Sequence, residues 1–182
     1  NEDGTIGEMT DEIFHKGLGS VAERNFRPHV NCVNITPDQK YLCAVDLGVD
    51  QVKIYKFNHE TGKITLVDML RCELESAPRI IKFSPDGRFA YLICELKNYI
   101  SVYSYKDGPR GPVFELLQTI STLNDYHSSG SAACVLRFSR DWKYVLCSNA
   151  GDNSIGIFKI DRETGKLEKI CILPISGDYP KA

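Results

Sequence analysis

The chain has 182 residues, of which 42% are hydrophobic and 25% charged. That composition supports a buried core and excludes a disordered chain. Its 22 Lys and Arg stand against 24 Asp and Glu, a formal charge of -2, so no strong positive field is available to nucleic acid or to an anionic membrane surface, and neither is expected as a partner. No apolar run approaches the ~18 residues of a membrane helix.

Residues 1–28 come first in chain order. Their opening, Asn1 to Asp11, is acidic and lacks an initiator Met, which places the expected start upstream and assigns this segment to a preceding β-unit or loop. The chain then repeats. Thr36-Pro-Asp-Gln-Lys-Tyr41, Ser84-Pro-Asp-Gly-Arg-Phe89 and Ser139-Arg-Asp-Trp-Lys-Tyr144 are copies of one another. Fifteen residues on from Pro37, Pro85 and Arg140 begin Val52-Lys-Ile-Tyr55, Ile100-Ser-Val-Tyr103 and Ile155-Gly-Ile-Phe158. The copies are spaced by 48 and then 55 residues. The extra length falls between Tyr103 and Cys134, around Asp107-Gly-Pro-Arg-Gly-Pro112 and Asp125-Tyr-His-Ser-Ser-Gly130. Periods of this size mark a propeller or an array.

Within a copy every apolar run is short and strand-like. Val33–Ile35, Tyr41–Val45, Val52–Phe57 and Ile64–Leu70 are four predicted strands. Pro-Asp-Gly turns the first into the second, and His59-Glu-Thr-Gly-Lys63 and Arg162-Glu-Thr-Gly-Lys166 turn the third into the fourth. Four antiparallel strands in ~48 residues make one propeller blade, and the fold class is all-β. The blades are placed at 29–76, 77–131 and 132–179, with a fourth beginning at 180, where Tyr179-Pro-Lys181 matches Ala77-Pro-Arg79. Closed propellers have four to eight blades, so the chain is expected to be roughly half of a larger ring. Blade faces left open predict self-association of this piece in isolation.

Seven cysteines stand at 32, 43, 72, 94, 134, 147 and 171, with no Cys-x-x-Cys pair. Most lie in apolar, β-branched stretches where a thiol acts as a small hydrophobe, so a reducing, cytoplasmic setting is expected. Neither a phosphate-cradling Gly loop, a Ser-His-Asp order nor metal-ligand spacing is visible, so no cofactor and no metal are predicted.

In a blade the first strand starts and the second ends on the same side, next to the central channel. Six residues before Pro37, Pro85 and Arg140 lie Asn31, Arg79 and Cys134, and ten residues after them lie Leu47, Glu95 and Ala150. All six are predicted to crowd one rim, where a concave ligand site is expected. Arg79 and Glu95 are the ionisable acid–base pair of that set. Ester or lactone hydrolysis needs a base for water and a donor for the developing oxyanion, roles open to Glu95 and Arg79 respectively. His29, two residues before Asn31, His127 in the long loop, and Lys181, in Arg79's place in the next repeat, are the further polar candidates at the rim, with Asn149 at the end of a second strand. His15 and His59 have no constellation around them and read as surface residues.

Ala22-Glu-Arg-Asn-Phe-Arg-Pro-His-Val-Asn31, Ala44-Val-Asp-Leu-Gly48, Ala77-Pro-Arg79, Cys94-Glu-Leu96 and Ser148-Asn-Ala-Gly-Asp152 stand in repeat-matched positions. Together with Pro-Asp-Gly and Glu-Thr-Gly-Lys they resemble the lactonase family of seven-bladed β-propellers, which holds bacterial 6-phosphogluconolactonases and fungal 3-carboxymuconate cyclases. The resemblance implies a seven-bladed ring, and an Arg and a Glu in the places of Arg79 and Glu95 match residues proposed for that family's active site. It also implies a substrate-contact role for Ser128 and Ser129. Two positions depart from it: relatives usually carry His where Asn31 stands and Arg where Ala150 stands. The implied activity is hydrolysis of an acidic or phosphorylated sugar lactone. Lactone-forming cyclisation of a muconate and non-catalytic binding of a ligand or protein on the rim are the alternatives.

Overall fold

The computed structural model describes residues 3–19, 26–127 and 129–181. Among these, twelve strands form three four-stranded antiparallel sheets, each in chain order. The first holds β1 (Val30–Ile35), β2 (Tyr41–Asp46), β3 (Gln51–Phe57) and β4 (Ile64–Arg71). The second holds β5 (Pro78–Phe83), β6 (Phe89–Cys94), β7 (Tyr99–Gly108) and β8 (Gly111–Ser121), and the third β9 (Ala132–Phe138), β10 (Tyr144–Ala150), β11 (Ser154–Ile160) and β12 (Leu167–Pro174). These are the blades of a partial propeller.

The repeated turns explain the repeated sheets. Thr36 Oγ1, Ser84 Oγ and Ser139 Oγ each donate to the Asp two residues on at 2.6 Å, and that same Asp accepts the amide of Lys40, Arg88 or Lys143 at 3.1–3.2 Å. Between them, Gln39, Gly87 and Trp142 share a left-handed backbone, with φ of 60°, 72° and 56°. Only the glycine adopts it without steric cost. Asn58 and Asp161 play the matching part in the outer hairpins, each accepting two backbone amides of the turn that follows.

Burial follows strand alternation. Cys43, Val45, Val52 and Ile54 pack against Ile81, Ala90, Leu92 and Cys94 in one inter-blade core. The opposite face of the middle blade, with Tyr91, Ile93, Ile100 and Val102, packs against Leu136, Val145, Cys147 and Phe158 in another. The strand β6 is therefore buried on both sides, and its sequence is an uninterrupted apolar run. Truncating Leu92 or Ile93 to alanine costs about 2–5 kcal/mol on that account. All seven cysteines are free thiols. No helix among the described residues is long and apolar enough to cross a membrane.

One expectation is overturned at the N-terminal segment. The side chain of His15 is buried, not at the surface: its Nδ1 lies 2.5 Å from Asp46 Oδ2 and its Nε2 2.9 Å from the Tyr55 hydroxyl. Asp46 also accepts the amides of His29 and Gly48, so a fully buried carboxylate ties four places in the chain together. Thr10 donates to Gly62 O and Asp11 accepts the Ile64 amide. The segment thus runs along the face of the first blade turned away from the second. His59 stays exposed, its ring against the Gln39 carbonyl.

Candidate active site

The innermost strands β1, β5 and β9 each carry one extra residue against their partner. The register skips Asn31 between Val30 and Cys32, Arg79 between Pro78 and Ile80, and Cys134 between Ala133 and Val135. Such bulges bend the strand and re-aim a side chain, and they concentrate at barrel rims and active sites. The three bulged residues are those picked out by counting back from the turns. Asn31 Nδ2 donates to Arg79 O at 3.3 Å, and the Ala133 amide to Glu95 O at 3.0 Å, so the rims of neighbouring blades are joined through these positions.

Between the second and third blades lies a cleft of about 500 Å³ lined by Arg79, Glu95, Asn98, His127, Ser131, Ala132, Cys134, Ala150, Tyr179 and Lys181, among others. Glu95, directly after β6, is almost wholly buried, and its carboxylate accepts a hydrogen bond from Nη1 of Arg79. Arg79 is partly exposed, yet its Nε is buried and has no hydrogen-bond partner among the described residues. A buried, unpaired N–H on a charged group is costly unless something else accepts from it. Burial raises the Cys134 thiol above its ordinary value, against the pull of the Arg79 charge and with Glu95 adding to the rise. Lys181 brings a second cation to the cleft, over the Tyr179 ring. Among the described residues no group of three or more His, Cys, Asp or Glu is placed to hold a metal.

Other predicted positions are dispersed. His29 and Asn31 are exposed on the first blade, outside the cleft lining. Ser129 is exposed in the long loop beside His127, and Ser128 lies outside the described residues. Asn149 is fully buried and acts as a tie, its Nδ2 donating to Thr122 O and to Ser154 Oγ. Leu47 departs from the rim expectation: it sits in a 3-10 turn at Leu47–Val49, buried, because the Asp46 carboxylate caps that turn and folds it inward.

Two residues at the cleft escaped the sequence reading. Asp50, Asn98 and Asn153 are repeat-matched, all left-handed with φ of 51–53°. Each reaches from the second-to-third strand turn toward the loop that enters the next blade. Asp50 accepts the amides of Glu75 and Ala77 at 2.8 Å. Asn153 accepts the amide of Tyr179 at 2.9 Å and donates to Asp178 at 2.8 Å. Asn98 donates through Nδ2 to Ser131 O at 2.9 Å, but its Oδ1, and the Ser131 hydroxyl, are buried without a hydrogen-bond partner among the described residues. The signal was present as a matched Asx position; its unpaired state depends on the loop conformation.

A profile described as Lactonase, 7-bladed beta-propeller, matches residues 1–182. The chain belongs to this lactonase family. Similar proteins include an uncharacterized protein of Staphylococcus epidermidis, 36% identical over 178 residues, covering 98% of this chain and 50% of the relative. One from Lactococcus lactis is 38% identical over 180 residues, covering 98% and 51%. Among solved structures, a periplasmic gluconolactonase from Pseudomonas aeruginosa superposes with a TM-score of 0.90 at 28% identity, over 100% of this chain and 50% of its own. A candidate 6-phosphogluconolactonase from Bacteroides fragilis gives 0.86 at 31% identity, over 100% and 51%. The chain thus spans about half the length of the relatives it matches. Within this lactonase half-ring, the positions where the sequence departs from the family resemblance fall at Asn31, which bonds to the backbone of Arg79, and at Ala150, whose methyl lines the cleft.

Proposed function

We propose that the cleft between the second and third blades hydrolyses an acidic or phosphorylated sugar lactone. The observation that carries this reading is the pairing of Arg79 with the buried Glu95, in which one Arg nitrogen holds the carboxylate while the buried Nε–H is left unpaired. In this scheme Glu95 takes a proton from water as its oxygen attacks the lactone carbonyl carbon. The carbonyl oxygen becomes an oxyanion, which accepts from Arg79 Nε–H. Collapse breaks the ring C–O bond, and the leaving oxygen takes the proton back from Glu95 to give the open hydroxy acid. Lys181, with Arg79, favours a substrate that carries negative charge.

The test uses the full-length protein. It should hydrolyse 6-phosphogluconolactone well above the spontaneous rate, and Glu95→Gln should abolish most of that excess without unfolding the protein. No acceleration over buffer sinks the reading. A non-catalytic rim that only binds acidic ligands is the second reading, favoured by the neutral Asn31 and Ala150; it predicts calorimetric binding of 6-phosphogluconate without turnover.

A further inference from the structure

The repeats are internal controls for one another. At the first junction Ser76 Oγ lies 3.4 Å from Asp50 Oδ1 and the carboxylate is occupied by the amides of the incoming loop. At the second junction Asn98 and Ser131 occupy the matching positions, yet Asn98 Oδ1 and Ser131 Oγ pair with nothing among the described residues. Ser131 is 8% exposed, and both residues line the cleft that holds Arg79 and Glu95. The loop before the third blade is longer, and Ala132 enters β9 without the left-handed φ that Ala77 and Tyr179 adopt, 52° and 51°. The amide that fills the acceptor elsewhere is thereby withdrawn. A buried acceptor beside a buried hydroxyl suits a ligand group able both to donate and to accept.

We propose that Asn98 and Ser131 form a hydroxyl-reading subsite, which selects ligands carrying a hydroxyl beside the carbonyl or carboxyl group held at Arg79. This rests on the reading of the cleft as a lactone site. Rotation of Ser131 about χ1, between staggered wells, presents its hydroxyl to the ligand. Asn98 Oδ1 then accepts from the ligand hydroxyl while Ser131 Oγ donates to it. A site built to pair with a hydroxyl rejects analogues lacking one, because its own polar groups would stay unpaired.

Calorimetry on the full-length protein with D-gluconate and with hexanoate tests the subsite separately from turnover. Gluconate should bind more tightly. Ser131→Ala should weaken gluconate about tenfold, the scale of one lost hydrogen bond, leave hexanoate unchanged, and leave Tm unchanged or raised, since the hydroxyl has no protein partner to lose. Asn98→Gly keeps the left-handed backbone and should also weaken gluconate. Equal affinity of the wild type for both ligands, absence of gluconate binding, or unchanged gluconate affinity in both variants overturns the proposal. In a parallel assay, failure to hydrolyse 6-phosphogluconolactone as well as glucono-δ-lactone would remove the lactonase reading, while the binding data still decide the subsite.

Discussion

At the junction between the first and second blades, Asp50 gathers the Glu75 and Ala77 amides. At the next junction Asn98 stands in the same place, on the same left-handed backbone, and keeps an unpaired oxygen beside an unpaired Ser131 hydroxyl. The first arrangement closes the rim; the second borders the cleft with Arg79 and Glu95. The difference originates in the connection between blades, which is longer before the third blade and delivers Ala132 in an extended conformation. A blade can thus keep its sheet and its turns while one loop decides whether the polar groups at its rim are tied or left unpaired. Polar groups left unpaired lower stability, a cost found preferentially at functional sites.

The contrast can be broken in several ways. The largest effect is expected at Glu95: replacing it with Gln should lower kcat for lactone hydrolysis by about 10²–10⁴, the range for removing a general base, with a melting curve close to wild type. A rate within threefold of wild type would remove the open junction's claim to chemistry. Next, Asp50→Ala should destabilise the protein by about 2–4 kcal/mol, because it leaves the buried Ala77 amide and the Glu75 amide unpaired, whereas Asn98→Gly should cost about 1 kcal/mol for the bonds from its Nδ2 to Ser131 O and, at 3.4 Å, to Leu96 O. Urea unfolding of the two variants measures this, and equal losses would erase the distinction. Thiols offer a third comparison. Burial pushes Cys43 and Cys94, in the core of the closed junction, up to about 12, while Cys134 is also raised but lines the cleft. Only thiolates alkylate, so at pH 8 iodoacetamide should modify Cys134 slowly and the other two not at all. The Cys134 rate should climb as pH rises toward 10. Equal modification of all three in native protein, read by mass spectrometry, would contradict the assignment. The smallest effect is the pair of serines: Ser76→Ala should lose up to about 1 kcal/mol and Ser131→Ala essentially none.

The blades were legible because their signals recur: the turns around Asp38, Asp86 and Asp141, the two Glu-Thr-Gly-Lys hairpins and the strands beginning at Val52, Ile100 and Ile155 stand at matching offsets, and local turn chemistry converts those offsets into the sheets observed. Counting from the same turns brought Arg79, Glu95, Cys134 and Ala150 to one cleft. What the pattern concealed depends on contacts with no period. His15 meets Asp46 across 31 positions, and nothing in either residue's neighbourhood announces the other. Leu47 has the right offset for the rim, but the side chain of the residue before it caps a tight turn and draws it inside. Asn98 and Ser131 required knowledge of which hydrogen bonds a loop fails to make, and that is a property of conformation, not of residue type.

The bulge on each innermost strand has a consequence for how such a ring diversifies. Each of the three blades offers one such position at the matching place in its ladder, filled by asparagine, arginine and cysteine in turn. Because that residue stands outside the ladder register, its replacement leaves the pairing of its neighbours intact. The side chain at this position can therefore change from blade to blade without shifting the strand register around it.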